Sequence, residues 1–326
     1  MKGKLIALLK LAVTVLFFYL VARKIELRQF GTVMRQARLG VLAAAFGVLW
    51  LGHYICIFRW RLLMRPLMPV HPFPRLFGIY CIGLFFNLTF PTAVGGDVVK
   101  MYYAGKPTRL YAQSFAATFL DRDAGMLAMM VIACTALWVH PVRLPNMDVP
   151  LVIWLSFAAF IALNVAVFAP ALHRRFTSGL RALRADGLAA RVDAVSRAFE
   201  RIRTHWDVLA GALAISLVNQ ILVIAFAWVL AEGLNIDLPF VYYLVFIPII
   251  TLISMIPISL NGMGLREYAF VSLFGAVGVP LESCMAMGLL TSVFLVLSAI
   301  PGGVLYVFFR DRRDLERVAA LRPEIS

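Results

Sequence analysis

Apolar runs long enough to cross a bilayer dominate this chain and leave it one class of fold. They cover Leu5–Val21, Val41–Phe58, Phe119–Val139, Pro150–Ala169, Leu209–Ala231 and Ser283–Phe309. A helix of about 20 residues spans the hydrocarbon, where the backbone must satisfy its own hydrogen bonds, so each run reads as a helix. Of the 326 residues, 62% are hydrophobic and 15% are charged, more apolar surface than a soluble core of this size absorbs. The expected fold is an all-α polytopic membrane protein with six full spans. The run after Lys2 and Lys4 lacks a small-x-small cleavage pattern and continues through Phe17, Phe18, Tyr19 and Leu20, so it reads as a retained first span.

Two further apolar stretches are broken near their middles. Residues 77–105 are interrupted at Phe90-Pro91-Thr92-Ala93-Val94-Gly95-Gly96-Asp97, and residues 240–278 at Ile256-Pro257-Ile258-Ser259-Leu260-Asn261-Gly262-Met263-Gly264. In each, a proline precedes glycines by a few positions and a charged pair follows: Asp97 with Lys100, then Arg266 with Glu267. Paired interruptions in two halves of a membrane chain indicate an internal repeat with a binding site at the breaks.

Charge sets the expected topology. The segment between His173 and His205 carries Arg174, Arg175, Arg181, Arg184, Arg191, Arg197, Arg201 and Arg203 against Asp186, Asp193 and Glu200, and the tail after Phe309 is also basic. Both are expected in the cytoplasm. The two full spans between them already return the chain, so 240–278 enters and leaves by the outer face as a re-entrant hairpin. Counted backwards, 77–105 enters and leaves from inside, which makes the repeat inverted. Arg23, Lys24, Arg28, Arg35 and Arg38 then fall outside, on a segment that reads as an amphipathic surface helix with Phe30, Val33, Met34 and Ala37 on one face. The alternative makes 77–90 a full span and puts the N-terminus outside. The chain is expected to be one integral membrane domain over 1–326. It comprises a first half 1–169, a cytoplasmic amphipathic linker 173–205, a second half 208–310 and a cytoplasmic tail 311–326, with both termini inside a bacterial-type inner membrane. The linker sets Leu188, Val192, Val195, Phe199 and Ile202 on one face, suited either to anionic headgroups or to packing on the bundle.

The net charge of +14 arises mostly at span borders, as cytoplasmic loops beside anionic headgroups require, so no nucleic-acid partner is expected. Cys56, Cys81, Cys134 and Cys284 sit in apolar segments without metal-like spacing and read as small packing residues. No phosphate-binding loop, dinucleotide fingerprint, zinc-protease pair or nucleophile–base pair stands out, so no cofactor, metal or catalytic residue is expected.

Charge at membrane depth selects the candidate site. Gly95 and Gly96 allow a tight break whose freed N–H groups can face an anion. Lys100 supplies a cation one helical turn from Asp97, and a structural Asp97–Lys100 pair is the alternative. Asn261, Gly262 and Gly264 with Arg266 and Glu267 form the mirrored tip. There a phosphate fork and a structural Arg–Glu lock compete. Asp121 and Arg122 lie within the run 111–140. Asp121 and Asp123 point to different sides of a helix, while Arg122 can reach either tip; a binding or gating role and an internal salt bridge compete here. Arg59 and Arg61 read as interfacial anchors first, with a lipid-phosphate contact as the second reading. Asn87, Asn219 and Gln220 read as interhelical hydrogen-bonding residues.

The segments 87–100 and 257–267 resemble the two signatures of the lysylphosphatidylglycerol synthase transmembrane, or flippase-like, family. The resemblance extends to Arg59-Trp60-Arg61-Leu62-Leu63, Leu120-Asp121-Arg122 and Pro301-Gly302-Gly303, with Asn261 where glycine is expected. It implies a membrane domain that moves an aminoacylated phospholipid between leaflets, with relatives linked to hopanoid, polyprenyl-phosphate or glycolipid handling. Aminoacyl transfer belongs to a separate soluble domain in that family, so lysyl transfer is not expected of these 326 residues. The expected function is translocation or binding of a lipid with an anionic headgroup. The alternatives are a membrane-embedded transferase using Asp97, Asp121 or Glu267 as base, and a non-catalytic partner of a separately encoded lipid-modifying enzyme.

Overall fold

A computed structural model describes residues 27–89, 95–139, 148–169, 175, 177–178, 181, 185–256 and 259–308. Among the described residues the chain is all helical. The helices are α1 (Leu27–Gln36), α2 (Leu39–Met64), α3 (Phe73–Thr89), α4 (Gly95–Gly105), α5 (Tyr111–Val139), α6 (Val149–Phe168), α7 (Asp186–Arg203), α8 (Trp206–Gly233), α9 (Phe240–Met255), α10 (Leu265–Gly275) and α11 (Leu281–Phe308). Of these, α2, α5, α6, α8 and α11 are long and apolar enough to cross a membrane. Each matches an expected span within a few residues, except that α5 starts at Tyr111, eight residues earlier than read. The sixth expected span, Leu5–Val21, and the tail 311–326 lie outside the described residues, as do 90–94, Pro257 and Ile258.

Helices α2 and α8 form the central antiparallel pair. In lipid, apolar surface gives little drive for helices to associate, so close packing of small residues does that work. A Cβ on Gly52 would stand 3.3 Å from Asn219 Oδ1, and one on Gly211 would stand 3.1 Å from Leu62. The Trp206 end of α8 gathers Met64, Leu67, Leu76, Ala104, Phe199 and Ile202 into one core cluster. The Gly233 end lies with Val149, Ile236, Tyr243, Phe274 and Val279 in another. These clusters mark opposite ends of the bundle.

Both broken stretches are antiparallel helical hairpins. In the first, α3 and α4 approach so closely that a Cβ on Gly96 would lie 2.0 Å from the Gly83 carbonyl oxygen. Its open end joins the Trp206-end cluster, where His71 Nε2 lies 2.8 Å from the Ala104 carbonyl oxygen. In the second, α9 and α10 are joined through a tight turn at Leu260–Gly262, and Tyr243 and Phe246 meet the Phe274 ring in tilted and edge-on contacts. Its open end lies at the Gly233 end, where Phe240 meets Trp228. The two hairpins thus enter the bundle from opposite ends.

Helix α11 touches both. A Cβ on Gly302 would fall 1.9 Å from the Cys81 carbonyl oxygen of α3, and one on Gly288 would fall 3.0 Å from Glu267 Cα of α10. The expected amphipathic helix is α1, whose Phe30, Val33 and Met34, with Ala37 just after it, pack on the core cluster at the Gly233 end. Arg38 donates its backbone N–H to the Gly233 carbonyl and its side chain pairs with Glu232 at 3.4 Å, so this basic segment shares an end with the loop after α8. The C-terminal part of the linker face in α7 packs on the bundle, while its Leu188 is half-exposed. Ala198, Phe199 and Ile202 are buried in the core, and Arg191, Arg197, Arg201 and Arg203 point outward.

Candidate functional site

The first hairpin closes over a cluster of ionic side chains drawn from three elements. From α2, Arg59 extends its guanidinium inward: Nε donates to Asp121 Oδ1 at 2.7 Å and Nη1 donates to Ser216 Oγ of α8 at 2.9 Å. From α4, Lys100 Nζ stands 3.4 Å from Asp97 Oδ1 and 3.6 Å from Asp121 Oδ2. From α5, Arg122 donates to the other oxygen of Asp97. Arg59, Lys100 and Asp121 are all less than a tenth exposed, whereas the Arg122 side chain is 31% exposed. Three cations against two carboxylates leave these five side chains with a net charge of +1, in a setting where an unbalanced charge calls for a counter-ion.

Local sequence explains why the cluster forms. Gly95 and Gly96 are buried at the start of α4, and the Gly96 N–H donates to Asn87 Oδ1 at 2.8 Å. One of the N–H groups expected to face an anion is therefore taken by Asn87, which ties the two arms of the hairpin together. Close apposition of α3 and α4 then aims Lys100 back across Gly83, where a Cβ would stand 2.7 Å from Lys100 Cγ.

The cluster lines a cavity of about 300 Å³, together with Gly125, Gln220 and the far end of α9 at Thr251 and Met255. The second hairpin therefore reaches the first through the end of α9. Beyond the Arg122–Asp97 pair lies a smaller apolar pocket of about 80 Å³, lined by Val98, Met101, Phe115 and Phe119. Val98 and Phe115 are exposed on the bundle surface, so this ion pair stands between the cavity and the lateral face. Asp123, on another side of α5 as its spacing requires, borders a separate and mostly apolar cavity of about 460 Å³ beside α7 and α8.

The second tip is built differently. Asn261 has φ 48°, a left-handed conformation that asparagine adopts more readily than most residues, and Gly262 and Gly264 have φ 73° and 79°. Arg266 Nη1 donates to Ser292 Oγ of α11 at 3.0 Å and Nη2 to the Asn261 carbonyl at 3.1 Å. Glu267, fully buried, accepts from the Gly264 N–H and from Ser292 Oγ, each at 2.5 Å. Both charges are turned toward their own hairpin and α11. Neither they nor Asn261, Gly262 or Gly264 line the cavity. Of the expected site residues, Asp97, Lys100, Asp121 and Arg122 come together, with Gly95 and Gly96 shaping their hairpin, and the second-tip group forms a lock of its own.

Arg59 is the residue that sequence reasoning misplaced. It is a buried centre of the cluster and not an interfacial anchor. The signal lay in its spacing: residues two apart on a helix differ by about 200°, so Arg59 and Arg61 cannot both face the headgroups. Gln220, expected to bond between helices, donates to the Gly125 carbonyl at 3.0 Å and also borders the cavity.

Comparison with known proteins agrees with this architecture. A membrane protein of Methanothermobacter thermautotrophicus (strain ATCC 29096 / DSM 1053 / JCM 10044 / NBRC 100330 / Delta H), described as a UPF0104 membrane protein, is 23% identical over 272 residues, covering 76% of this chain and 75% of its own length. No solved structure matches. The sequence profile of the family described as "Lysylphosphatidylglycerol synthase TM region" matches residues 7–302, nearly the whole multi-pass bundle with both hairpins and the ionic cluster, and the chain belongs to that family.

Proposed function

We propose that this protein binds the anionic headgroup of a membrane lipid in the 300 Å³ cavity and passes it between the leaflets of a bacterial-type inner membrane. The observation that carries the proposal is the net positive charge of the buried Arg59–Asp121–Lys100–Asp97–Arg122 cluster. A phosphodiester supplies the missing negative charge and the acceptor oxygens that lysine and arginine hydrogens require. The cavity is at the small end of ligand pockets, so it suits a headgroup while the acyl chains stay in lipid.

In this scheme both hairpins are re-entrant, the first opening to the cytoplasm with the termini and the second to the outer face. Arg122 is the entry residue. Its half-open side chain exchanges Asp97 for the incoming phosphate, drawing the headgroup in past Val98 and Phe115. Lys100 and Arg59 then hold the inner end of the cluster. Because Thr251 and Met255 of α9 form the opposite wall, movement of the second hairpin would open the cavity toward the other face.

Leaflet exchange of labelled phosphatidylglycerol and of a labelled polyprenyl phosphate in proteoliposomes tests this. Wild type should accelerate exchange of at least one of them. Arg122→Gln should slow it by about 10- to 100-fold, the loss expected for one charge-assisted contact. Folded wild-type protein that exchanges neither lipid would move the function to the transferase or the accessory partner.

A further inference from the structure

Lys100 occupies an enclosure suited to an ammonium ion. Its Nζ stands 5.1 Å from the centroid of the Trp60 ring and 5.0 Å from that of Tyr80, in addition to its two carboxylate neighbours. Aromatic faces combined with anions form the usual environment for ammonium recognition. The walls are held by groups other than Lys100. Trp60 is fully buried and donates Nε1–H to Thr118 Oγ1 at 3.2 Å, and Thr118 is in turn bonded to the Ser114 carbonyl at 2.9 Å. The Tyr80 hydroxyl lies 3.4 Å from His53 Nδ1. Asp121 is fixed by Arg59, and Asp97 by Arg122. Take away the lysine, and a preformed box with two carboxylates is left.

We infer that Trp60, Tyr80, Asp97 and Asp121 form an ammonium subsite permanently filled by the chain's own Lys100, and that Lys100 thereby sets lipid specificity. This rests on the headgroup-phosphate function proposed above. With Lys100 in place, the cavity offers a phosphate its counter-charge and offers a headgroup ammonium only a like charge in its natural seat. Selectivity built by such a repulsive element favours phosphate headgroups without an amine, phosphatidylglycerol over phosphatidylethanolamine or an aminoacylated lipid. Without Lys100, the remaining four charged side chains sum to zero and the vacated seat takes an ammonium.

Two measurements on the full chain decide this. In the first, thermal unfolding of wild type, Lys100→Ala and Lys100→Met is followed in detergent with ethylammonium chloride or, at equal ionic strength, sodium chloride. Ethylammonium should raise the Tm of Lys100→Ala in a concentration-dependent way and leave wild type unmoved. Lys100→Met, whose side chain fills the stem space, should respond less. If Lys100→Ala folds poorly, recovery of folded protein with ethylammonium reads the same seat. No response of Lys100→Ala beyond the sodium control, or an equal response of wild type, overturns the subsite. In the second, native mass spectrometry compares retention of phosphatidylglycerol and phosphatidylethanolamine. Wild type should favour phosphatidylglycerol by about tenfold, and Lys100→Ala should bring the ratio to about one or below. Equal retention by wild type removes the specificity claim and leaves the phosphate function standing. Retention of neither lipid removes the specificity claim and leaves the phosphate function to the polyprenyl phosphate exchange above, while the ethylammonium response still decides whether the box exists.

Discussion

The two hairpins follow one sequence pattern and put their charges to opposite uses. Each has a proline-glycine break followed within a few residues by a cation and an anion. In the first, Asp97 and Lys100 reach across to Arg59, Asp121 and Arg122 and leave an excess positive charge at a cavity. In the second, Arg266 and Glu267 are both satisfied through Ser292 and the hairpin's own backbone, and the local charge sums to zero. The difference lies in what the neighbouring span supplies. Helix α5 brings Asp121 and Arg122 to one tip, and α11 brings only a hydroxyl to the other. A balanced set of buried charges fixes a conformation; an unbalanced one calls for a counter-ion.

The largest expected effect attacks the second tip. Glu267→Ala leaves Arg266 buried without its acid, a change that costs about 3–5 kcal/mol. A large fall in Tm in detergent is expected. A Tm close to wild type, with lipid exchange lost instead, would make the two tips functionally alike and end the contrast.

Next, the Arg59–Asp121 pair separates stability from binding within the first cluster. Asp121→Leu alone strands Arg59 and should destabilise the fold by a similar amount. Adding Arg59→Met should recover most of that loss, because apolar replacement of a whole buried pair is often neutral or better. Retention of phosphatidylglycerol should stay below wild type in the double variant. Unimpaired retention would remove Arg59 and Asp121 from the site.

Gly96→Ala probes how far the site depends on hairpin closure. The new methyl group meets the Gly83 carbonyl, so α3 and α4 must part, at about 1–3 kcal/mol. Exchange should fall more than stability does, since Lys100 loses its line across Gly83. The smallest effect is expected at Asn261→Gly. The left-handed backbone is kept, as is the carbonyl that Arg266 uses, so Tm should move by no more than about 1 kcal/mol equivalent and exchange should be unchanged.

Much of this was legible in the sequence, for physical reasons that differ by element. Spans declare themselves because bilayer thickness fixes helix length, and α2, α6, α8 and α11 start and end within a few residues of their apolar runs. Both helical hairpins were legible because glycine and proline are the residues that let a chain reverse within an apolar stretch. The partner of each charge was not. Asp97, Lys100, Asp121 and Arg122 stood out as ionic residues in apolar surroundings, but nothing local tells that Ser292 will absorb Arg266. Arg59 was hidden by its position near a helix end, where an arginine ordinarily reaches outward along its flexible stem.

The glycines of α11 have a mechanical consequence. With no side chain at Gly302 or Gly288, this span bears directly on the backbone of α3 at one depth and of α10 at another. It is a shared lever: a displacement of α11 is felt at both contacts. Pro301, one residue before the α3 contact, removes a rung of helical hydrogen bonding where such a lever would flex. The two hairpins, open at opposite ends of the bundle, are therefore coupled through one shaft.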